Sequence, residues 1–165
     1  MTSTMKFDRV GSTMVLVCDH RDPSAADWST WVRSYVEGAV AHGSRALFVV
    51  SSGGGPNARQ RQEVLAALAT HLGSSASMIK TAVCTDSVVA RGIGKAVAWM
   101  VGERALQSFG FDERAEALAF LEVPMQQRAK IALTARRFER ELSASVHLPF
   151  PPSRPRTRSR RPDAG

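Results

Sequence analysis

The amino-acid sequence predicts a single α/β domain built on a mixed sheet. Two strand-like runs joined by a short turn open the chain, and three alternations of an apolar strand with a helix follow. Such an alternation places parallel strands at the centre of a sheet and helices against it. At 165 residues with 44% hydrophobic residues, the chain is long enough to bury one core without disulfides or metals.

The first two strands are predicted to form a hairpin. Residues 6–10 and 13–19 are separated only by a Gly-Ser pair, and a two-residue turn with glycine favours antiparallel pairing. Ser24 is the expected N-cap of the first helix, and Gly43 is its expected end. Apolar residues recur between them at helical spacing and are expected in the core: Trp28, Trp31, Val32, Tyr35, Val36, Ala39 and Val40.

The middle of the chain contains two further buried strands. Residues 46–50 form a continuous apolar run, which is typical of a parallel strand covered on both faces, and residues 78–85 form the next. Pro56 suits the first turn of the intervening helix, which Gly73 ends. The predicted apolar face of that helix consists of Val64, Leu65, Leu68 and Leu72.

A third helix follows the second buried strand. Asp86-Ser87 is predicted to cap it, and Gly92 and Gly94 inside it indicate close packing against a neighbouring element. Its expected apolar repeat consists of Val89, Ile93, Val97 and Met100.

The last part of the chain predicts a short strand over residues 105–109 and two helices. Asp112 is the expected cap of the first helix, and Pro124 opens the second. The second helix has a narrow apolar seam, which predicts docking on its own sheet or on a second copy of the chain. That seam consists of Ile131, Ala135, Phe138 and Leu142.

The predicted organisation has three parts. A domain spans residues 1–123, an amphipathic helix spans 124–146, and an Arg/Pro-rich tail over 147–165 is expected to be disordered. The net charge is +7, of which five arginines against one aspartate in residues 149–165 supply +4. The basic character is therefore mainly a property of the tail, which could bind nucleic acid weakly and without sequence preference, or could simply be solvated.

The cysteines and histidines predict no reactive centre. Cys18 and Cys84 each lie in an apolar strand-like run, where a free thiol behaves as a small buried hydrophobe. The four histidines show no paired ligand spacing, so neither a metal nor a cofactor is expected. The N-terminus lacks the apolar core of a signal peptide and no apolar run is long enough to span a membrane, so we expect a cytoplasmic protein.

Two loops are candidate binding sites because they follow the carboxyl ends of predicted parallel strands. The loop over 51–57 is rich in glycine and leads into a helix, an arrangement in which free amides attract anions, although a simple turn is the alternative. It is not a Walker A loop, because Ala58-Arg59 stands where Gly-Lys-Ser/Thr is required. The candidate binding residues of the two loops are Ser51, Ser52, Gly53, Gly54, Gly55, Asn57, Arg59, Asp86 and Ser87.

Three strings, together with the N-terminal hairpin, give the chain a family resemblance. They are ALFVVSSGGG over 46–55, AVCTDS over 82–87 and SFGFDERAEALAFL over 108–121. Across about residues 7–123 the chain resembles the SpoIIAA-like group of STAS domains, bacterial relatives of the anti-sigma-factor antagonists. The resemblance implies a regulatory protein–protein interaction module in which Ser52 is a possible phosphoacceptor. The chain departs from the antagonist pattern at Val50, which stands in place of an aspartate.

No complete catalytic motif is present. The string His20-Arg21-Asp22 stands without the other kinase motifs, and no nucleophile-elbow string supports a relay from Ser52 or Ser87. We therefore expect a non-catalytic regulatory or binding module that docks a protein partner or a small anionic ligand with the two loops. The alternatives are an enzyme that uses the same loops, and a tether to nucleic acid or an anionic membrane through the tail.

Overall fold

The computed structural model describes residues 3–101 and 104–146. The predicted disordered tail and the side chains of Val97 and Met100 lie outside the described residues. A 3₁₀ turn spans Gly73–Met78. The elements are β1 (Met5–Val10), β2 (Thr13–Cys18), α1 (Ala25–His42), β3 (Ala46–Ser51), α2 (Ala58–Leu72), β4 (Lys80–Cys84), α3 (Val88–Val101), β5 (Leu106–Phe109), α4 (Arg114–Phe120) and α5 (Met125–Val146).

The five strands form one sheet in chain order, β1-β2-β3-β4-β5. Strands β1 and β2 pair antiparallel, with Val10 opposite Thr13, and the remaining pairs are parallel. The predicted α/β class, with an N-terminal hairpin, parallel central strands and packed helices, is confirmed. This layout is consistent with the STAS-like arrangement that the sequence resemblance implies.

Helices cover both faces of the sheet. Because side chains alternate along a strand, Met14 and Leu16 of β2 contribute to one core with α1 and α2, whereas Val15 and Val17 contribute to the other with α4 and α5. Every residue of β2 is buried as a result, which explains its continuous apolar sequence.

Helix α1 begins and ends where the sequence predicts. The Ser24 hydroxyl accepts a hydrogen bond from the Asp27 amide, and Gly43 ends the helix in the left-handed region at φ 62°. The aromatic stripe is buried, with Trp31 and Tyr35 stacked at 5.3 Å between ring centroids. The prediction for Val40 is wrong, since its side chain is 57% exposed at the margin of the stripe.

Helix α2 and the chain that follows it differ from the prediction in three details. Pro56 lies before the helix, because Asn57 is the N-cap residue. The side chain of Leu65 is partly exposed, so it lies outside the buried face. The 3₁₀ turn occupies the chain up to Met78, and β4 therefore begins at Lys80.

Helix α3 packs against β5 through its small residues. A Cβ on Gly94 would lie 2.5 Å from the Ser108 hydroxyl oxygen, which confirms close packing at Gly94. At Gly92 that prediction is wrong, because a Cβ there would meet nothing within 4 Å. Val89 and Ile93, two members of the expected apolar repeat, are exposed.

The C-terminal helices cover the second face of the sheet. Glu113, and not Asp112, occupies the N-cap position of α4, and its carboxylate accepts a hydrogen bond from the Gly110 amide at 2.7 Å. Helix α5 follows Pro124 and packs on β1 and β2, so docking on its own sheet is confirmed. The whole predicted seam is buried: Ile131, Ala135, Phe138 and Leu142. Within the described residues, no helix is both long and apolar enough to cross a membrane.

Candidate functional site

Both candidate loops lie at the end of the sheet where the parallel strands finish. The last residues of β2, β3, β4 and β5 are adjacent, since Cys18 pairs with Ser51, Val50 with Cys84, and Cys84 with Phe109. We call the connections that follow these strands the carboxyl rim, which comprises residues 19–24, 51–57, 85–87 and 110–113. The structure therefore brings the two predicted loops together with two others.

Ser51 holds the glycine loop in a closed turn. Its hydroxyl donates to the Gly54 carbonyl at 2.6 Å and accepts from the Gly53 amide at 3.1 Å. The side chain is buried, whereas Ser52 is exposed. The two adjacent serines thus have different roles, because Ser51 stabilises the loop and only Ser52 presents a hydroxyl to solvent.

Two of the three glycines are required by the backbone. Gly53 has φ 129°, a conformation that side chains with a Cβ rarely adopt. A Cβ on Gly54 would lie 2.1 Å from the Arg21 carbonyl oxygen, so the loop packs directly on the β2–α1 connection. Gly55 has neither constraint, since nothing lies within 4 Å of its Cβ position.

The amides of the glycine loop are bonded within the protein. The Ser52 amide donates to the Cys18 carbonyl at 3.1 Å, and the Gly54 amide donates to the Asp19 carbonyl at 3.0 Å. The Gly53 amide is bonded to Ser51, and the Gly55 amide lies 3.5 Å from an Asp22 carboxylate oxygen. The loop is therefore a folded turn and not an open ring of amides.

Asn57 is a helix cap. Its side chain accepts from the Gln60 amide at 3.0 Å, and the Gln60 side chain accepts from the Asn57 amide at 2.9 Å. The buried Gln60 side chain also donates to the Pro23 carbonyl at 3.0 Å. The backbone carbonyl of Gln60 accepts from the Trp28 indole N–H at 2.9 Å. The sequence analysis did not identify this capping box, although the Asn-x-x-Gln spacing of residues 57–60 is its signature. Arg59 lies exposed on the first turn of α2.

An ion pair fixes the β2–α1 connection. Asp19 is buried, and its carboxylate accepts from the Arg21 side-chain Nε at 2.9 Å and from the Arg21 amide at 2.7 Å. The hydrogen bond to Asp19 raises the pKa of Arg21 above its ordinary value. Sequence reasoning assigned no role to this pair, which stiffens the surface on which Gly54 packs.

The loop after β4 is also internally bonded. The Thr85 hydroxyl accepts from the Ser87 amide at 3.1 Å, and the Ser87 hydroxyl accepts from the Ala90 amide at 3.2 Å, which confirms Ser87 as the cap of α3. Asp86 does not cap the helix. Its carboxylate accepts from the Phe111 amide at 3.1 Å and lies 3.6 Å from the Arg91 guanidinium, so it joins two rim connections.

The cysteines beneath the rim are buried and free, as predicted. Burial raises the pKa of Cys18 to about 12, and the Asp19 charge adds to the shift. Burial also raises the pKa of Cys84 to about 12, against an opposing effect of Arg114. Both thiols therefore stay protonated at neutral pH and are poor nucleophiles.

Of the histidines among the described residues, only His20 lies on the rim with the serines. Helices α1 and α2 begin at the rim, so His42 and His71 on their last turns lie toward the opposite edge of the sheet. His20 is exposed within the rim, and in the described part of the chain no hydrogen bond joins it to Ser52 or Ser87. Among those same residues, no group of three acidic, histidine or cysteine side chains is arranged to hold a metal ion.

Comparison with family models, curated proteins and solved structures finds no match for this chain. The fold and the rim define an α/β protein with a polar edge of ordered, mutually bonded loops.

Proposed function

We propose that this protein is a non-catalytic regulatory or binding module of the STAS type, which docks a protein partner with the loops over 51–57 and 85–87. The observation that carries the proposal is the internal bonding of the rim. Its loops are held by hydrogen bonds to one another, so their outer surface is ordered before a partner arrives. A preorganised surface loses less conformational entropy on binding than a flexible one.

The same bonding favours a protein partner over a small anion. An anion at a glycine loop is held by free backbone amides, and here the amides of Ser52, Gly53 and Gly54 already have partners inside the protein. The carboxylates of Asp22 and Asp86 lie on the same rim and would repel an anion. A protein surface can instead match the mixture of acids, hydroxyls and carbonyls.

Ser52 is the proposed regulatory position. It is exposed on the rim, whereas the Ser51 hydroxyl is buried and occupied by two hydrogen bonds. Phosphorylation of Ser52 would add about −1.5 to −2 charges to the docking surface. The proposal is that this charge change controls whether the partner binds.

The chemistry of the described rim supports binding and not catalysis. An enzyme needs a nucleophile or an acid–base pair with a suitable pKa, and the nearby thiols are held protonated by burial. The Ser87 hydroxyl caps a helix, and the Asp19 carboxylate is committed to Arg21. These groups maintain the loops.

Site-specific photo-crosslinking tests the proposal. A photoreactive phenylalanine analogue at Gly55 reports on the rim, because that position has space for a side chain. The control carries the same analogue at Leu133, an exposed residue of α5 on the other helix layer. In a lysate of the source cells we expect one protein to crosslink from Gly55 and not from Leu133. Equal crosslinking from both positions, or none from Gly55, would overturn the proposal.

A further inference from the structure

We infer that the outward face of α5 is a nucleic-acid-binding surface, which contacts the phosphodiester backbone of a duplex without reading its bases. Helix α5 covers the face of the sheet opposite to the one that α1 and α2 cover. It contains no part of the two docking loops over 51–57 and 85–87. The inference therefore does not depend on the proposed protein partner.

The excess positive charge of the chain lies entirely on α5 and the residues after it. Residues 1–123 contain twelve lysines and arginines and twelve aspartates and glutamates, so their formal charges balance. Helix α5 contains five cations and two acids, a net charge of +3, and residues 149–165 supply the other +4. The net charge outside residues 149–165 is therefore that of α5, the helix from which the basic C-terminal sequence continues.

The cations of α5 are concentrated on the side that faces away from the sheet. Because the apolar seam of α5 is buried on β1 and β2, the opposite side of the helix faces solvent. Residues on that side recur three or four apart, and all of them are exposed. They are Gln126, Ala129, Lys130, Leu133, Arg136, Arg137, Arg140 and Ala144. Within residues 125–145, this outward face therefore has four cations and no acid.

The two acids of α5 lie at its flanks and are bound to neighbouring elements. Glu139 accepts two hydrogen bonds from the Arg114 guanidinium beside α4, at 2.6 and 3.1 Å. Glu141 lies 3.1 Å from the Lys6 ammonium of β1. Of the four outward cations, only Arg137 forms an ion pair with a described acid. The other three have no acidic partner among the described residues.

A strip of cations without acids is suited to a polyanion. Lys130 and Arg140 are ten residues apart, which is about 15 Å along the helix axis. Each strand of a DNA duplex presents a phosphate every ~3.4 Å of its axis, so a strip of this length faces several phosphates. Three of the four outward cations are arginines, whose guanidinium groups bind phosphate through two parallel hydrogen bonds. Phosphates are the same in every sequence, so such contacts position a duplex without selecting its bases.

The same face is poorly suited to a lipid surface. A helix that lies on a membrane inserts large apolar side chains below the headgroups. In α5 those side chains, Ile131, Phe138 and Leu142, are buried against the sheet. Among the described residues of α5, the exposed large apolar side chains are Met125 and Leu133, which lie two turns apart. The observations therefore favour a nucleic acid over an anionic membrane.

Fluorescence anisotropy of a labelled short DNA duplex, titrated with the full chain at several salt concentrations, tests the inference. Arg136→Gln/Arg140→Gln removes two outward cations, and glutamine preserves helix propensity. We expect this variant to bind at least ~10-fold more weakly at low salt. The slope of log K against log salt should become shallower by about 1.8, since each lost contact removes about 0.9.

The matched control removes two exposed cations outside α5. Arg33→Gln/Lys95→Gln makes the same change of net charge on α1 and α3. It should leave the affinity within ~3-fold of the natural chain and the salt slope unchanged. An RNA duplex of the same sequence, titrated in parallel, shows which of the two kinds of backbone the face prefers.

An added charge provides a second test. Leu133→Arg places a cation at the centre of the outward face, where it should strengthen binding and steepen the salt slope by about 0.9. Val40→Arg adds the same charge at a similarly exposed position of α1 and should leave the slope unchanged. Thermal unfolding of each variant confirms that it is folded.

Four results would overturn the inference. The first is the absence of duplex binding at low salt, and the second is an equal loss of affinity in the two double variants, which would assign binding to residues 149–165. The third is a preference above ~10-fold between DNA duplexes of unrelated sequence, which would require base contacts. The fourth is binding to vesicles of phosphatidylcholine and phosphatidylglycerol, without binding of a duplex, that Arg136→Gln/Arg140→Gln abolishes. That result would assign the face to a lipid surface.

Discussion

At the scale of single residues, the three glycines of the 51–57 loop have different structural constraints. Gly54→Ala should lower the free energy of unfolding by at least ~2 kcal/mol, because its Cβ would overlap the Arg21 carbonyl. Gly53→Ala should lower it by about 1–2 kcal/mol through its positive φ. Gly55→Ala is the control, with an expected change within ~0.5 kcal/mol. Urea unfolding measures all three, and an equal loss at Gly55 would mean that the loop is packed differently.

The buried thiols make stability depend on alkaline pH. In the unfolded chain a cysteine ionises near pH 9, whereas Cys18 and Cys84 in the folded protein stay protonated to about pH 12. Between these values the unfolded chain binds fewer protons, so the free energy of unfolding falls as pH rises. The slope is up to ~1.4 kcal/mol per pH unit for each cysteine. Burial raises the pKa of Tyr35 as well, which adds to the loss at higher pH.

Urea unfolding from pH 8 to 10.5 measures this dependence. The double variant Cys18→Ala/Cys84→Ala should have a flatter profile than the natural chain, because it lacks both ionisations. Profiles of equal slope would show that these thiols are not buried in the folded protein.

At the scale of elements, α5 is an integral part of the core. Ile131 is fully buried against the sheet, whereas Leu133 on the same helix is 65% exposed. Ile131→Ala should lower the free energy of unfolding by about 3 kcal/mol, and Leu133→Ala should change it by less than ~0.5 kcal/mol. Chemical denaturation of the pair provides the measurement. Similar values for both variants would contradict the docking of α5.

The ends of helices were predictable because cap chemistry is local. The Ser24 and Ser87 hydroxyls accept hydrogen bonds from amides three residues along the chain. Gly43 ends α1 because glycine readily adopts the left-handed conformation that this position requires. At α4 this local signal failed, because Glu113 occupies the N-cap position without a side-chain cap bond. Its carboxylate instead accepts from the Gly110 amide, which lies before the helix.

The exposure of apolar residues was less predictable. Periodicity identifies the apolar face of a helix, but it does not say whether another element covers that face. For α1 and α5 the sheet does so, whereas Ile93 of α3 is exposed. In the site, the positions of the two loops followed from strand order. The Gly54–Arg21 contact and the Asp19–Arg21 pair depend on how the rim connections pack together, which is a tertiary property.

At the scale of the whole molecule, the parallel arrangement concentrates polar groups at one edge. Helices α1, α2 and α3 all begin at the rim, so the positive ends of three helix dipoles lie there. Acidic side chains at the same edge, Asp22, Asp27 and Asp86 among them, oppose that field. The rim is therefore polar and compensated within the protein, which suits a protein surface better than an isolated anion.

The orientation of α5 relates the rim to the basic C-terminal sequence. Arg137 pairs with Asp8, and Glu141 pairs with Lys6, so the helix runs along β1 toward the edge where β2 ends. Its last described residues are thus on the rim side of the molecule. Residues 149–165, with five arginines, follow in the sequence. The folded rim and the basic C-terminal sequence are two candidate origins of any binding, and they can be separated by experiment.

The affinity of the partner identified by crosslinking, measured by isothermal titration calorimetry, tests the central claim most directly. Gly55→Trp places a large side chain on the rim without an internal clash, and it should weaken binding at least ~10-fold. A chain ending at Val146, which lacks the basic tail, should bind within ~3-fold of the full chain. The opposite pattern, in which Gly55→Trp binds normally and the shortened chain does not bind, would contradict the assignment of recognition to the carboxyl rim.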